Sequence, residues 1–91
     1  MAILLRFAPE KMSAKQYYEI LRQLDEAGAG SPHGRLYHVC FGDGESLRVS
    51  DIWDCVENFQ KFGEILTPIL QDLGVDPGEP EVIDVHNIIR A

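Results

Sequence analysis

The stretch Arg35-Leu36-Tyr37-His38-Val39-Cys40-Phe41, Gly42-Asp43-Gly44-Glu45-Ser46, Leu47-Arg48-Val49-Ser50-Asp51-Ile52-Trp53 decides the architecture. Both flanks are rich in β-branched and aromatic residues, and the Asp-Gly between them is the preferred centre of a type I′ hairpin turn. With Asp43-Gly44 as the two loop residues, His38 lies opposite Val49 and Leu36 opposite Asp51, on one face of the ribbon. An odd loop length would reverse the faces, because side chains along a strand alternate with a period of two.

On the C-terminal side of the hairpin, Asp54 with Glu57 marks a helix start. Val56, Phe59, Phe62, Leu66, Ile69, Leu70 and Leu73 then hold one stripe to Gly74. Pro68 removes a backbone donor and crowds the preceding turn, so the pattern predicts a kink or break near Thr67. After a turn-rich connection, residues 81–90 read as the last strand, with Val82, Ile83, Val85, Ile88 and Ile89 spread over both faces. On the N-terminal side, residues 2–7 form an apolar strand that Pro9 closes, its composition suggesting burial on both faces. Ser13 with Gln16 is a capping box, and Met12 with Tyr17 a hydrophobic staple, for a helix that ends near Ala27-Gly28. The Gly28-Ala29-Gly30 loop follows a helix rather than a strand, which excludes a phosphate-binding turn.

Strand, helix, hairpin, helix, strand makes two interlocking βαβ units. Right-handed crossovers put both helices on one face of a four-stranded antiparallel sheet. Residues 1–91 are therefore one α+β domain of ferredoxin-like βαββαβ order, with no room for a second core. A chain this short buries only about 60 to 65% of its unfolded surface. Two helices leave the other sheet face open, and an apolar patch of that size calls for a cover. The expectation is a homodimer with sheets packed face to face.

Eight basic against fifteen acidic residues give a net charge of −7, a sign that repels phosphate backbones and anionic membranes. Nucleic acid and membrane surfaces are excluded as expected partners. The N-terminus lacks the layout of a signal peptide. Cys40 and Cys55 lack the spacing of a disulfide scaffold or a zinc site, which fits a reducing, cytoplasmic setting.

The element order, with Ile52-Trp53-Asp54 leading straight into Val56-Glu57-Asn58-Phe59-Gln60-Lys61-Phe62, resembles the dimeric α/β-barrel superfamily that contains the antibiotic-biosynthesis monooxygenases. That superfamily also includes isomerases, haem enzymes and proteins with no known activity. Its haem-degrading members use an asparagine on the first strand, a tryptophan before the second helix and a histidine on that helix. Trp53 matches the tryptophan. Residues 2–7 have no asparagine and residues 56–73 no histidine, so haem is disfavoured and no cofactor is expected.

Candidate chemistry rests on His38 and His86, each mid-strand among apolar neighbours, where a neutral imidazole can act as a general base. Asp51 and Asp84 could orient them, and Arg6 would need one of these acids if buried. Asn87 faces away from His86 by strand alternation. Trp53, Tyr37 and Asp51 are the candidate substrate contacts, although Trp53 reads first as a core residue sealing the strand-to-helix corner. Tyr17 and Tyr18 fall on or beside a packing stripe. His33, His38 and His86 share no metal-ligand spacing, so no metal is expected.

Two functional readings follow. One is a small-molecule-binding protein with its pocket between sheet and helices, a cofactor-independent monooxygenase or isomerase acting on an apolar or aromatic substrate, as the resemblance implies. The other is a non-catalytic dimeric interaction module. A pocket containing His38 or His86 favours the first. Under either reading, sedimentation at micromolar protein should give a dimer, and a well-folded monomer with no tendency to associate would refute the face-to-face arrangement.

Overall fold

In the computed structural model, which describes residues 2–90, the hairpin forms from β2 (Arg35–Asp43) and β3 (Ser46–Trp53). Its turn sits one residue further along than expected, with Asp43 paired to Ser46 and Gly44-Glu45 between them. A type I′ turn on Asp43-Gly44 would require positive φ at Asp43. No described non-glycine residue has positive φ, and the left-handed position falls at Gly42, φ 113°. Asp43 instead accepts a hydrogen bond from the Glu45 amide at 3.0 Å, the local bond that favours Asp in turns. The loop count stays even, so the faces hold while the pairing slides. His38 stands across from Asp51, not Val49, and Cys40 takes Val49. Leu36, expected opposite Asp51, is left out of the ladder by a bulge between Arg35 and Tyr37.

β1 (Ile3–Phe7) lies between β3 and β4 (Glu81–Asp84), in the all-antiparallel order β2-β3-β1-β4. α1 (Ala14–Glu26) and α2 (Val56–Asp72) complete the ferredoxin-like α+β fold. β4 is shorter than the expected strand over residues 81–90 because its partner is short. Asp84 already pairs with Ile3 at the start of β1, and the Val85 amide donating to the Ala2 carbonyl at 3.0 Å is the last rung among the described residues. All four β4 residues are exposed.

The capping box at Ser13 forms as expected, with the Gln16 amide donating to Ser13 Oγ at 3.2 Å and the Ser13 amide to Gln16 Oε1 at 3.0 Å. The expected box at Asp54 does not form. Cys55 takes the cap position without a side-chain bond, and Asp54 accepts instead from Asn58 Nδ2 at 2.9 Å. That bond holds the half-buried Asp54 carboxyl below the usual carboxylate range. α2 also runs unbroken through Pro68. Both Pro68 and Glu64 face solvent, so the carbonyl that loses its donor can turn to water without disturbing the core.

Strand alternation turns Ile3, Leu5, Leu47, Asp51 and Trp53 toward the helices, where Ile20, Leu24, Phe62, Ile69 and Leu70 close the core. Trp53 is fully buried against Phe59 and Phe62, with ring centroids 5.6 and 5.4 Å away. Its Nε1 finds no hydrogen-bond partner among the described residues. The opposite sheet face carries Leu4, Ile52, Val39, Tyr37, Phe41 and Ile83, and no helix among the described residues covers it. Only one face of β1 is buried, therefore, and Leu4 stays half-exposed. Arg6 also lies exposed on this open side, without the Asp84 or Asp51 partner that burial would have demanded. No helix among the described residues is long and apolar enough to cross a membrane.

Phe62 joins the α2 stripe to Trp53 at the centre of this core. Phe62→Ala should cost about 3 to 5 kcal/mol, a large share of the stability expected of such a domain. The measurement is the denaturation midpoint, and an unchanged midpoint would contradict the packing described.

Candidate functional site

Because β2 and β3 pair with His38 across from Asp51, the two side chains meet on the helix-facing side of the sheet. His38 Nδ1 lies 2.5 Å from Asp51 Oδ1. Asp51 is the one buried charged residue among the described residues, and such a group needs a partner. A carboxylate only accepts, so the hydrogen sits on Nδ1 and the Nε2 lone pair points away from Asp51. It points at α1. Tyr17, on the first turn of that helix, places its hydroxyl 2.7 Å from Nε2 and donates to it.

The position of Tyr17 is set by the backbone. The Ala14 amide donates to the Gly44 carbonyl and the Leu47 amide to the Met12 carbonyl, each at 2.8 Å, so the start of α1 is bolted to the hairpin end. Tyr17 follows within one turn. Burial pushes its phenol up to about 12, with the Cys40 thiol and Tyr18 adding to the effect, and the group therefore stays protonated as a donor. Burial also raises the Cys40 thiol, which argues against a thiolate nucleophile beside the site.

Tyr17, His38 and Asp51 form one wall of a largely apolar cavity of about 140 Å³ between sheet and helices. Phe7, Phe59, Phe62 and Leu66 are among the residues closing the rest of it. A space of that size matches the dry cavities of about 150 Å³ that accept a benzene ring. Among the described residues, Arg35 is the one lysine or arginine side chain lining the cavity. Among the described residues, no three His, Cys, Asp or Glu side chains gather as a metal site.

Of the residues singled out from sequence, His38 and Asp51 are brought together. The other three lie outside the cavity. Trp53 is buried one layer behind its wall, against Phe59 and Phe62. Tyr37 points to the open sheet face and is half-exposed. His86 is exposed beyond the end of β4, and Asp84 pairs with Ile3 rather than orienting a histidine. Sequence reasoning missed Tyr17 and Arg35. A phenol on a buried helical stripe was the available signal for Tyr17, since such a hydroxyl needs a partner. Arg35 gave none.

No protein-family model and no curated protein matches the sequence. Among solved structures, the chain is similar to SnoaB, a cofactor-independent oxygenase from Streptomyces nogalater. The two are 11% identical with a TM-score of 0.62, over 99% of this chain and 96% of that one. The resemblance read from residues 52–62 thus holds at the level of fold.

The raised Tyr17 phenol has a testable consequence. A pKa lifted from 10 in the unfolded chain to about 12 in the fold supplies stability that is fully present below pH 10 and lost as pH rises through about 12. Alkaline denaturation of the parent should steepen across that window. Tyr17→Phe should flatten the decline and remove one phenolate step from the ultraviolet titration. An identical alkaline profile in the variant would contradict the burial of this hydroxyl.

Proposed function

We propose that this protein binds a small apolar or aromatic compound in the cavity and acts on it by proton transfer through His38, as a cofactor-independent monooxygenase or isomerase. The observation that carries the reading is an imidazole held by a buried carboxylate at Nδ1 and bonded at Nε2 to the Tyr17 hydroxyl, all three side chains lining an apolar cavity. Asp51 fixes the ring and its tautomer, and would stabilise the imidazolium formed when Nε2 takes a proton from a phenol or an acidic carbon. To do so, Nε2 must exchange the Tyr17 hydroxyl for the substrate. Tyr17 then remains beside the nascent phenolate or enolate as a donor.

The anion has two outcomes. Return of the proton at another carbon is isomerisation. Reaction with dioxygen as co-substrate converts a ring CH₂ to a carbonyl, one oxygen atom becoming the carbonyl oxygen and the other leaving as water with the two hydrogens. The fold shared with SnoaB supports the second outcome. Dimerisation through the open face of Leu4, Val39, Tyr37, Ile52 and Ile83 belongs to the same proposal, as does a cytoplasmic setting for the free thiols Cys40 and Cys55.

Proton abstraction can be followed without knowing the natural substrate, using exchange of the ring hydrogens of resorcinol in heavy water. His38→Gln should slow exchange by about 10²- to 10⁴-fold while resorcinol binding and the folded spectrum persist. Exchange unaffected by His38→Gln would overturn the role of base. A variant that melts far below the parent and leaves exchange in the folded fraction unchanged would make His38 a structural partner of Asp51, and the chain the non-catalytic module.

A further inference from the structure

Along β2, Tyr37, Val39 and Phe41 point to the open side of the sheet while His38 and Cys40 point to the helices. Simple alternation would send Arg35 to the open side with Tyr37. The bulge at Leu36 inserts one residue and reverses this, so Arg35 pairs with Trp53 and faces the helices. The chain just before it is pinned. Gly34 has φ 92°, its carbonyl accepts from the Asp54 amide at 2.9 Å, and a Cβ there would lie 2.6 Å from both Asp54 Oδ1 and Asn58 Nδ2. Glycine is required at that point, and the bulge is held in place by it.

The re-aimed guanidinium lines the cavity over the face of Phe62, 5.8 Å from the ring centroid. It donates from Nη2 to the Gly30 carbonyl at 3.3 Å. No carboxylate lies within 4.0 Å of it among the described residues, although the chain carries fifteen acidic side chains against eight basic. Arg22, by contrast, is clasped by Glu19 and Glu26. The cavity's one carboxylate, Asp51, is turned onto His38. An unmatched arginine at the edge of an apolar cavity, with most of its five donors unused, is suited to a planar anion.

We infer that Arg35 selects a ring-sized ligand bearing a carboxylate, which it holds while the ring lies against Phe62 and faces His38. This deepens the proposed reaction and rests on the cavity being a ligand site. Calorimetry with benzoate and its neutral match benzamide tests it. In the parent protein, benzoate should bind at least about tenfold more tightly, as one charged hydrogen-bonded pair allows, and added salt should weaken benzoate but not benzamide. Arg35→Gln should bring benzoate down to the benzamide level and leave benzamide unchanged, while Arg35→Lys should keep part of the preference. Equal binding of the two probes by the parent would overturn the role of Arg35 and leave the cavity intact, as would an undiminished benzoate preference in Arg35→Gln. Failure of both probes to bind the parent would overturn the cavity reading and this inference with it.

Discussion

Two backbone hydrogen bonds at the hairpin tip hold the arrangement together. Through Ala14 to Gly44 and Leu47 to Met12, each 2.8 Å, the first turn of α1 cannot slide along the β2–β3 ribbon. Side-chain bonds at a distant site need their donors and acceptors placed to within fractions of an ångström, which flexible packing alone does not secure. Here the helix start and the strand pairing share one frame. The phenol of Tyr17 and the imidazole of His38 therefore meet at 2.7 Å from residues twenty-one positions apart in the chain.

The cavity that this frame leaves open has an energetic consequence. At about 24 cal/mol per Å³, a cavity of about 140 Å³ costs about 3 kcal/mol, and small domains have only about 5 to 15 kcal/mol in hand. The aromatic packing of Trp53 against Phe59 and Phe62, the two rings that line the cavity in front of it, offsets part of that cost. It also gives the wall rigidity. A hollow one residue thick would collapse, whereas a wall backed by a fully buried indole keeps its shape. The same packing explains why Trp53 serves the site without touching the cavity.

Polar groups in this core are few and are used together. Asp51 would be costly where it sits without His38, and His38 without Asp51 would lose its fixed tautomer. Tyr17 satisfies the remaining nitrogen and excludes water from it. Each member thus depends on the other two, the behaviour of a polar network satisfied throughout. Arg35 stands apart from this network, facing the same cavity with its charge unmatched by any described side chain.

The elements themselves were legible from local chemistry. The Ser13–Gln16 box, the α2 stripe from Phe59 to Leu70 and the β-rich runs either side of Gly42 act over a few residues, so their spacing specifies the α+β order directly. Pro68 and the length of β4 misled because solvent at Glu64 and the short reach of β1 overrode the local signal. The site depended on more distant facts. Whether His38 meets Val49 or Asp51 turns on one residue of turn placement, and whether Arg35 faces the cavity or the open sheet turns on one bulged residue at Leu36. Strand faces alternate with a period of two, so a single residue inserted or shifted exchanges neighbours or faces. The sequence by itself determined what the elements are. Only the tertiary structure decided which side chains they bring together, because register is chosen by contacts summed over the whole sheet and its helices.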